Sequence, residues 1–265
     1  VTTRTLEEEL ARVTAMTRWF EGVTSTTTQE WEHGSVLLNE DFPQRWDSNF
    51  LRVEGSVPGL TGDDLADEAD RLLAGFGHRE VVVEDAVDGE RLAPGLGARG
   101  YEIDPLVVMV RHRDHDREPA FMAREVTSAV VRPVAVAANI ESHGGMTPEV
   151  AGLLADFDAV AEERAGARFF LADLDGTPAS SCQLYLHEGT AEVENVATLT
   201  AFRNRGGARA VVTAAIEAAR DAGADLVWLF ADAKDWPRHL YAKLGFDAIG
   251  ERWQFTKPPA GTPYR

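Results

Sequence analysis

The chain has 265 residues, 44% of them hydrophobic, which is enough for one large or two small globular domains. Its formal net charge of -18 repels phosphate backbones and argues against nucleic-acid binding. No apolar run is long enough to span a bilayer, the opening "VTTRTLEEEL" lacks the basic start and apolar core of a signal peptide, and the single cysteine, Cys182, excludes an intramolecular disulfide framework. These features lead us to expect a soluble, cytoplasmic protein without a membrane partner.

In chain order, Thr5 and Glu8 form a capping-box pattern for a first helix over Thr5–Glu21, with an apolar stripe through Leu6, Leu10, Val13, Met16 and Phe20. Strands are expected at Gly34–Asn39 and Phe50–Val53, and a helix at Asp63–Leu73. The apolar run "REVVVED", a short helix near Gly89–Arg99 and the strand "DPLVVMV" follow. The charged segment Arg111–Glu125 reads as a connection between halves. It contains His112 and His115, but the flanking Arg111, Arg113 and Arg117 disfavour a cation, and no metal is expected.

Beyond the connection, "SAVVRPVAV" reads as a strand. Thr147-Pro148 opens a helix to Ala165, with threonine as cap and proline in the first turn. Asp175-Gly176 and Glu188-Gly189 then punctuate a three-stranded antiparallel meander. A helix runs from Gly207 to Ala222 and stops at Gly223. "DLVWLFAD" is a buried strand, Trp236–Leu244 a helix, and a last strand runs into "RWQFT". Both halves follow a helix, strand, helix, strand order, with Gly100-Tyr101 and Gly245-Phe246 at matching places, which suggests a duplication.

The stretch "AFRNRGGARAVV" sets Arg203, Arg205 and Arg209 around Gly206-Gly207, between a strand and a helix. A helix N-terminus offers unpaired N–H groups and the positive end of the dipole. Glycines let backbone approach an anion, and guanidinium groups add charge-assisted bonds. The expected ligand carries a diphosphate. With no Gly-Lys-Ser/Thr and no G-x-G-x-x-G, the stretch is neither a Walker loop nor a dinucleotide fingerprint.

At this point the C-terminal half resembles the GNAT superfamily of N-acetyltransferases, which use acetyl-CoA. The Q/R-x-x-G-x-G/A signature is matched by Arg203, Gly206 and Ala208, and the later L-Y and G-F by Leu240-Tyr241 and Gly245-Phe246. The resemblance covers about residues 125–257. It implies that the backbone of Val196, Ala197 and Thr198 pairs with the pantetheine arm. It also implies that amides of Arg205, Gly206, Gly207, Ala208 and Arg209 hold the pyrophosphate, with Arg203 beside them. Tyr241 matches the family's tyrosine, the general acid for the departing thiolate. Where the family often has an asparagine in the last short helix, this chain has Lys234-Asp235.

Acetyl transfer needs a neutral amine, and an alkyl amine of pKa about 10.4 is neutral only about one part in a thousand at pH 7.4, a deficit of roughly 4 kcal/mol. Glu192, Glu194, Val196, Thr198 and Thr200 share one strand face by period two. Glu194, set back from the loop, is the expected general base, directly or through water. Asp232 ends the buried strand and either meets a cationic substrate or caps a turn. Cys182 reads as a packed thiol. In the N-terminal half, Leu96 stands where Tyr241 sits, and "VEGSVPGLTGDD" has no arginine while Asp63 and Asp64 repel a pyrophosphate.

The fold expectation is α+β: tandem GNAT-like domains, each a mixed, mostly antiparallel twisted sheet flanked by helices. Residues 1–115 form a degenerate domain without cofactor, 116–125 a linker, and 126–265 a catalytic domain binding acetyl-CoA. The acceptor is a small-molecule or peptide amine, and the chain is a monomer or homodimer. The alternative is a non-catalytic acyl-CoA sensor or interaction module.

Overall fold

The computed structural model of the chain describes residues 4–234 and 236–263. In chain order the elements are α1 (Leu6–Thr24), β1 (Thr27–Trp31), β2 (Gly34–Leu38), β3 (Phe50–Val53), α2 (Gly62–Leu72), β4 (Arg79–Val83), α3 (Ala86–Ala98) and β5 (Glu102–Arg111). They continue as β6 (Arg124–Val126), α4 (Ser128–Ser142), α5 (Pro148–Ala165), β7 (Arg168–Leu174), β8 (Thr177–His187), β9 (Thr190–Thr198), α6 (Gly207–Asp221), β10 (Leu226–Asp232), α7 (Pro237–Lys243) and β11 (Phe246–Lys257).

Local signals act as expected in most places. Thr5 and Glu8 close a reciprocal capping box on α1. Thr147 caps α5, with Pro148 at its first position. Asp175-Gly176 and Glu188-Gly189 all have positive φ, between 45° and 76°, which matches the two-residue turn that fits the twist of a hairpin.

One expectation fails. "SAVVRPVAV" lies in α4 and is no strand. Its buried valines, Val131 and Val134, are three apart and face one way, and Arg132 reaches Asp156 on α5. Packing on α5 outweighs both the β-branched residues and Pro133, which forfeits one helical hydrogen bond. Strands β1 and β6 escape the sequence reading, and β6 takes in the last residues of the expected linker.

All strands join one mixed sheet of order β1-β2-β3-β4-β11-β5-β10-β9-β8-β7-β6. The class is α+β, but the sheets of the two halves are continuous. The pairing repeats itself: β3 runs parallel to β4, and β9 parallel to β10. Next to β4, however, lies β11, and next to β10 lies β5, both antiparallel. Each half therefore receives its closing strand from the other, and β5 and β11 pair along their length at the centre.

Side chains alternate across β5. Ile103, Val107 and Met109 face α2, α3, α6 and α7, while Val108 and Val110 face α1, α4 and α5. The sheet is thus covered by four helices on one face and three on the other. Trp228, fully buried, anchors the second layer and donates its indole N–H to Met16 of α1.

Candidate active site

Strand β9 pairs with β10 over Thr190–Glu192 against Leu226–Trp228, and the two parallel strands then diverge. Parallel neighbours that part company leave unpaired backbone on both inner edges. A cleft opens at this divergence on each face of the sheet.

On the α6 and α7 face the cleft measures about 500 Å³ and is lined by Val196, Ala197 and Thr198 of β9, by Arg203, Asn204 and Gly206 of the following loop but not Arg205, by the start of α6, and by Leu240 and Tyr241 of α7. Gly206 is the N-cap of α6 in the left-handed region, φ 95°, and no side chain caps the helix. The first helical bond runs from Ala210 N–H to Gly206 O, so the amides of Gly207, Ala208 and Arg209 have no partner inside the helix. Gly207 is required by packing: a Cβ there meets Ser180 Oγ at 2.0 Å. The result is an N-terminus kept bare, with its dipole directed at the cleft.

The arginines around the loop have other duties as well. Arg203 donates to Thr198 O, Arg205 pairs with Asp175, and the guanidinium of Arg209 is buried and held by Asp116 at 2.8 Å and Arg117 O at 3.1 Å. The Arg209 side chain thus ties the 112–123 segment to α6, and its backbone amide is what the helix end presents. Tyr241 is 7% exposed, edge-on to Phe246, and lines the same cleft. Of the Lys234-Asp235 pair, Asp235 lies outside the described residues.

Glu194 does not share this cleft. Asn195 adopts φ 50°, and the β8–β9 register shifts between Ser181 and Gln183. This β-bulge ends the period-two alternation expected over Glu192–Thr200. Glu194 opposes Gln183, which bonds Asp158 on the α5 face, whereas Thr198 bonds Ser180 beside Gly207 on the α6 face. Glu192 and Glu194 therefore look into the opposite cleft.

That second cleft, about 330 Å³, lies between the halves. From the N-terminal half come Phe20 and Glu21 of α1, Arg45, Asp47 and Leu106. From the rest come Tyr185, Glu192, Glu194, Phe230, Asp232 and Arg252. Glu21 is clamped by Arg52 at 2.5 Å and Arg252 at 2.7 Å. Asp47 pairs with Arg45. Asp232 lines the cleft and accepts the Lys234 amide, which is the turn-capping reading of it. Burial pushes the Glu194 carboxyl up to about 7, with Asp47 adding to it, against the Asn195 amide, Arg45 and Arg252. Burial, then the charge of Glu194, drives the Glu192 carboxyl well above the usual range.

Remaining candidates have structural employment. His112 contacts Glu9 and Asp247. Cys182 is fully buried, donates to Val211 O, and has its thiol pushed up by burial. The N-terminal contributors to the second cleft carry no local sequence signal. Glu192 was within reach, as the residue two before Glu194 on one strand face.

Residues 140–246 match the model of the acetyltransferase (GNAT) family. Several solved structures share the fold. A functionally unknown conserved protein from Staphylococcus epidermidis superposes with TM-score 0.70 at 14% identity, covering 89% of this chain and 95% of that one. A GCN5-related N-acetyltransferase from Kribbella flavida gives TM-score 0.60 at 20% identity, covering 94% and 95%. A tandem GNAT protein from the clavulanic acid biosynthesis pathway gives 0.53 at 14%, covering 97% and 96%. No curated protein matches the chain in sequence.

Proposed function

We propose, for this acyltransferase whose residues 140–246 form an acetyltransferase (GNAT) domain, that acetyl-CoA donates its acetyl group to a primary amine by direct attack. The observation that carries the reading is the pair of clefts on opposite faces of the sheet at the β9–β10 divergence. One offers the bare helix end of α6, and the other offers carboxylates.

In this reading the amides of Gly207, Ala208 and Arg209, with the glycine-eased approach at Gly206 and Gly207, take the pyrophosphate. Arg203 and Arg205 flank it. The open edge of Val196, Ala197 and Thr198 takes the pantetheine amides as an added strand. CoA supplies the activated thioester. The amine enters from the other face, where Glu194, held near neutrality, accepts its proton directly or through water. Tyr241 protonates the leaving thiolate from the cofactor face. Holding amine and thioester from opposite sides of one gap supplies much of the rate through positioning.

The two halves, 1–115 and 126–265 joined by 116–125, are in this reading a duplication whose first copy keeps no cofactor site. Calorimetric titration of acetyl-CoA into the wild type and into an Arg205→Glu, Gly206→Glu variant tests the proposal. Micromolar binding at one site per chain, lost in the variant, is the expected result. An absence of binding in the wild type removes the cofactor assignment and the transfer reaction with it.

A further inference from the structure

The cleft on the α1 face contains more carboxylates than one proton acceptor requires. Glu21, Asp47 and Asp232 are each already engaged, by Arg52 and Arg252, by Arg45, and by the Lys234 amide. Glu192 is different. It is 5% exposed, faces the cleft, opposes Tyr185 across β8, and sits two residues before Glu194 on the same strand face. Among the described residues no hydrogen bond or ion pair holds its carboxylate, and the one positive charge that acts on it, Arg252, is already paired with Glu21.

A buried carboxylate without a cation costs several kcal/mol, and two side by side raise each other. Such a pair is relieved either by taking up protons or by positive charge brought onto it. One cation satisfies one carboxylate, and a molecule with a cationic group for each satisfies both. The walls between them are apolar: Phe20, Leu106 and Phe230 line the same space. Methylene groups belong there, and charged groups belong at the two ends.

Resting on the amine-acetylation reading, we propose that the acceptor is an α,ω-diamine, with one nitrogen at Glu194 and the other held as an ammonium by Glu192. Same-face strand neighbours stand roughly 7 Å apart, which is the span of a diamine with about four or five methylenes. Glu194 takes a proton from the first nitrogen, which then forms the C–N bond as the C–S bond breaks. The thiolate receives its proton from Tyr241, which is restored by the second proton that the nitrogen loses as the amide forms, while Glu194 passes the first to water. In sum, ammonium and thioester give amide, thiol and one proton released to water. The second nitrogen undergoes no chemistry and keeps its charge throughout.

The test compares straight-chain monoamines with α,ω-diamines of about two to eight methylenes, at saturating acetyl-CoA, by thiol release. In the wild type, diamines near four or five methylenes should show KM roughly tenfold or more below that of the monoamine of equal length, since a charge-assisted bond is gained. Glu192→Gln should bring that ratio close to one. The chain-length profile of the wild type decides the matter even where the variant fails to fold. Equal KM for mono- and diamines, or a preference that survives in Glu192→Gln, overturns the inference. Transfer to monoamines or lysine peptides but to no diamine overturns it and leaves amine acetylation standing. Transfer to no amine at all overturns both.

Discussion

Helices α2 and α6 start at corresponding points of the two halves, each after a strand and each leading to a parallel partner strand. Their first turns are treated in opposite ways. In α2, Thr61 accepts from the Asp64 amide, while Asp64 accepts from the Thr61 N–H, so the helix end is sealed by its own side chains. In α6, Gly206 caps nothing with a side chain. The neighbouring helix follows suit. Gly62 presses on α3 so closely that a Cβ would meet Gly95 Cα and Leu92 O at 2.8 Å. Between α6 and α7 the same gap is the 500 Å³ cleft. Leu96 is fully buried at the closed contact, and Tyr241 lines the open one. One scaffold thus closes a seam between two helices in one half and leaves the matching seam open as a cleft in the other.

The comparison breaks most readily at Tyr241. Tyr241→Phe removes the only chemistry that separates that position from its buried counterpart Leu96. Turnover should fall by about 10²-fold, roughly 2.7 kcal/mol, with acetyl-CoA affinity nearly intact by calorimetry. Turnover within a factor of two of the wild type would strip the position of its catalytic role.

A second effect is set by Glu194. Its carboxyl is raised to about 7, mainly by burial, and a base must be ionised to accept a proton. Turnover should therefore fall about tenfold for each pH unit below about 7 and level off above it. In Glu194→Gln this acid limb should vanish along with most of the activity. An unchanged limb in the variant assigns the titration to another group.

The smallest effect lies in the N-terminal half. Gly62→Ala forces a methyl group against the backbone of α3, and overpacking of this kind costs about 1–3 kcal/mol. Thermal unfolding should shift downward by several degrees while acetyl-CoA affinity is maintained. A loss of affinity as large as the loss of stability would mean that the α2–α3 seam is coupled to the cofactor cleft.

What could be read from the residues was what is encoded locally. The capping box of α1, the Asp175-Gly176 and Glu188-Gly189 turns, and the Gly206-Gly207 helix start each lie within a few consecutive residues. Tyr241, four before Gly245, belongs with them. The α4 error arose because Val130, Val131 and Val134 fit either period, and contact with α5 decided between them. The Asn195 bulge is a single inserted residue, and it puts Glu194 on the α5 face while Thr198 stays on the α6 face. Arg252 reaches the acceptor cleft from β11 and Glu21 reaches it from α1, so neither is adjacent in sequence to the loop that announced the site.

The exchange of β5 and β11 has a further consequence, for the order in which the molecule can be completed. During synthesis β11 emerges after every other strand described here. Until it arrives, β4 has β3 but lacks its second neighbour, and β5 has β10 on one side and a raw edge on the other. Arg252 has not yet met Glu21, so the cleft on the α1 face lacks a wall. A ribosome stalled just past α7 would therefore hold the Gly206-Gly207 loop in a molecule with neither half closed. The two halves have no separate birthdays, because one strand zips both.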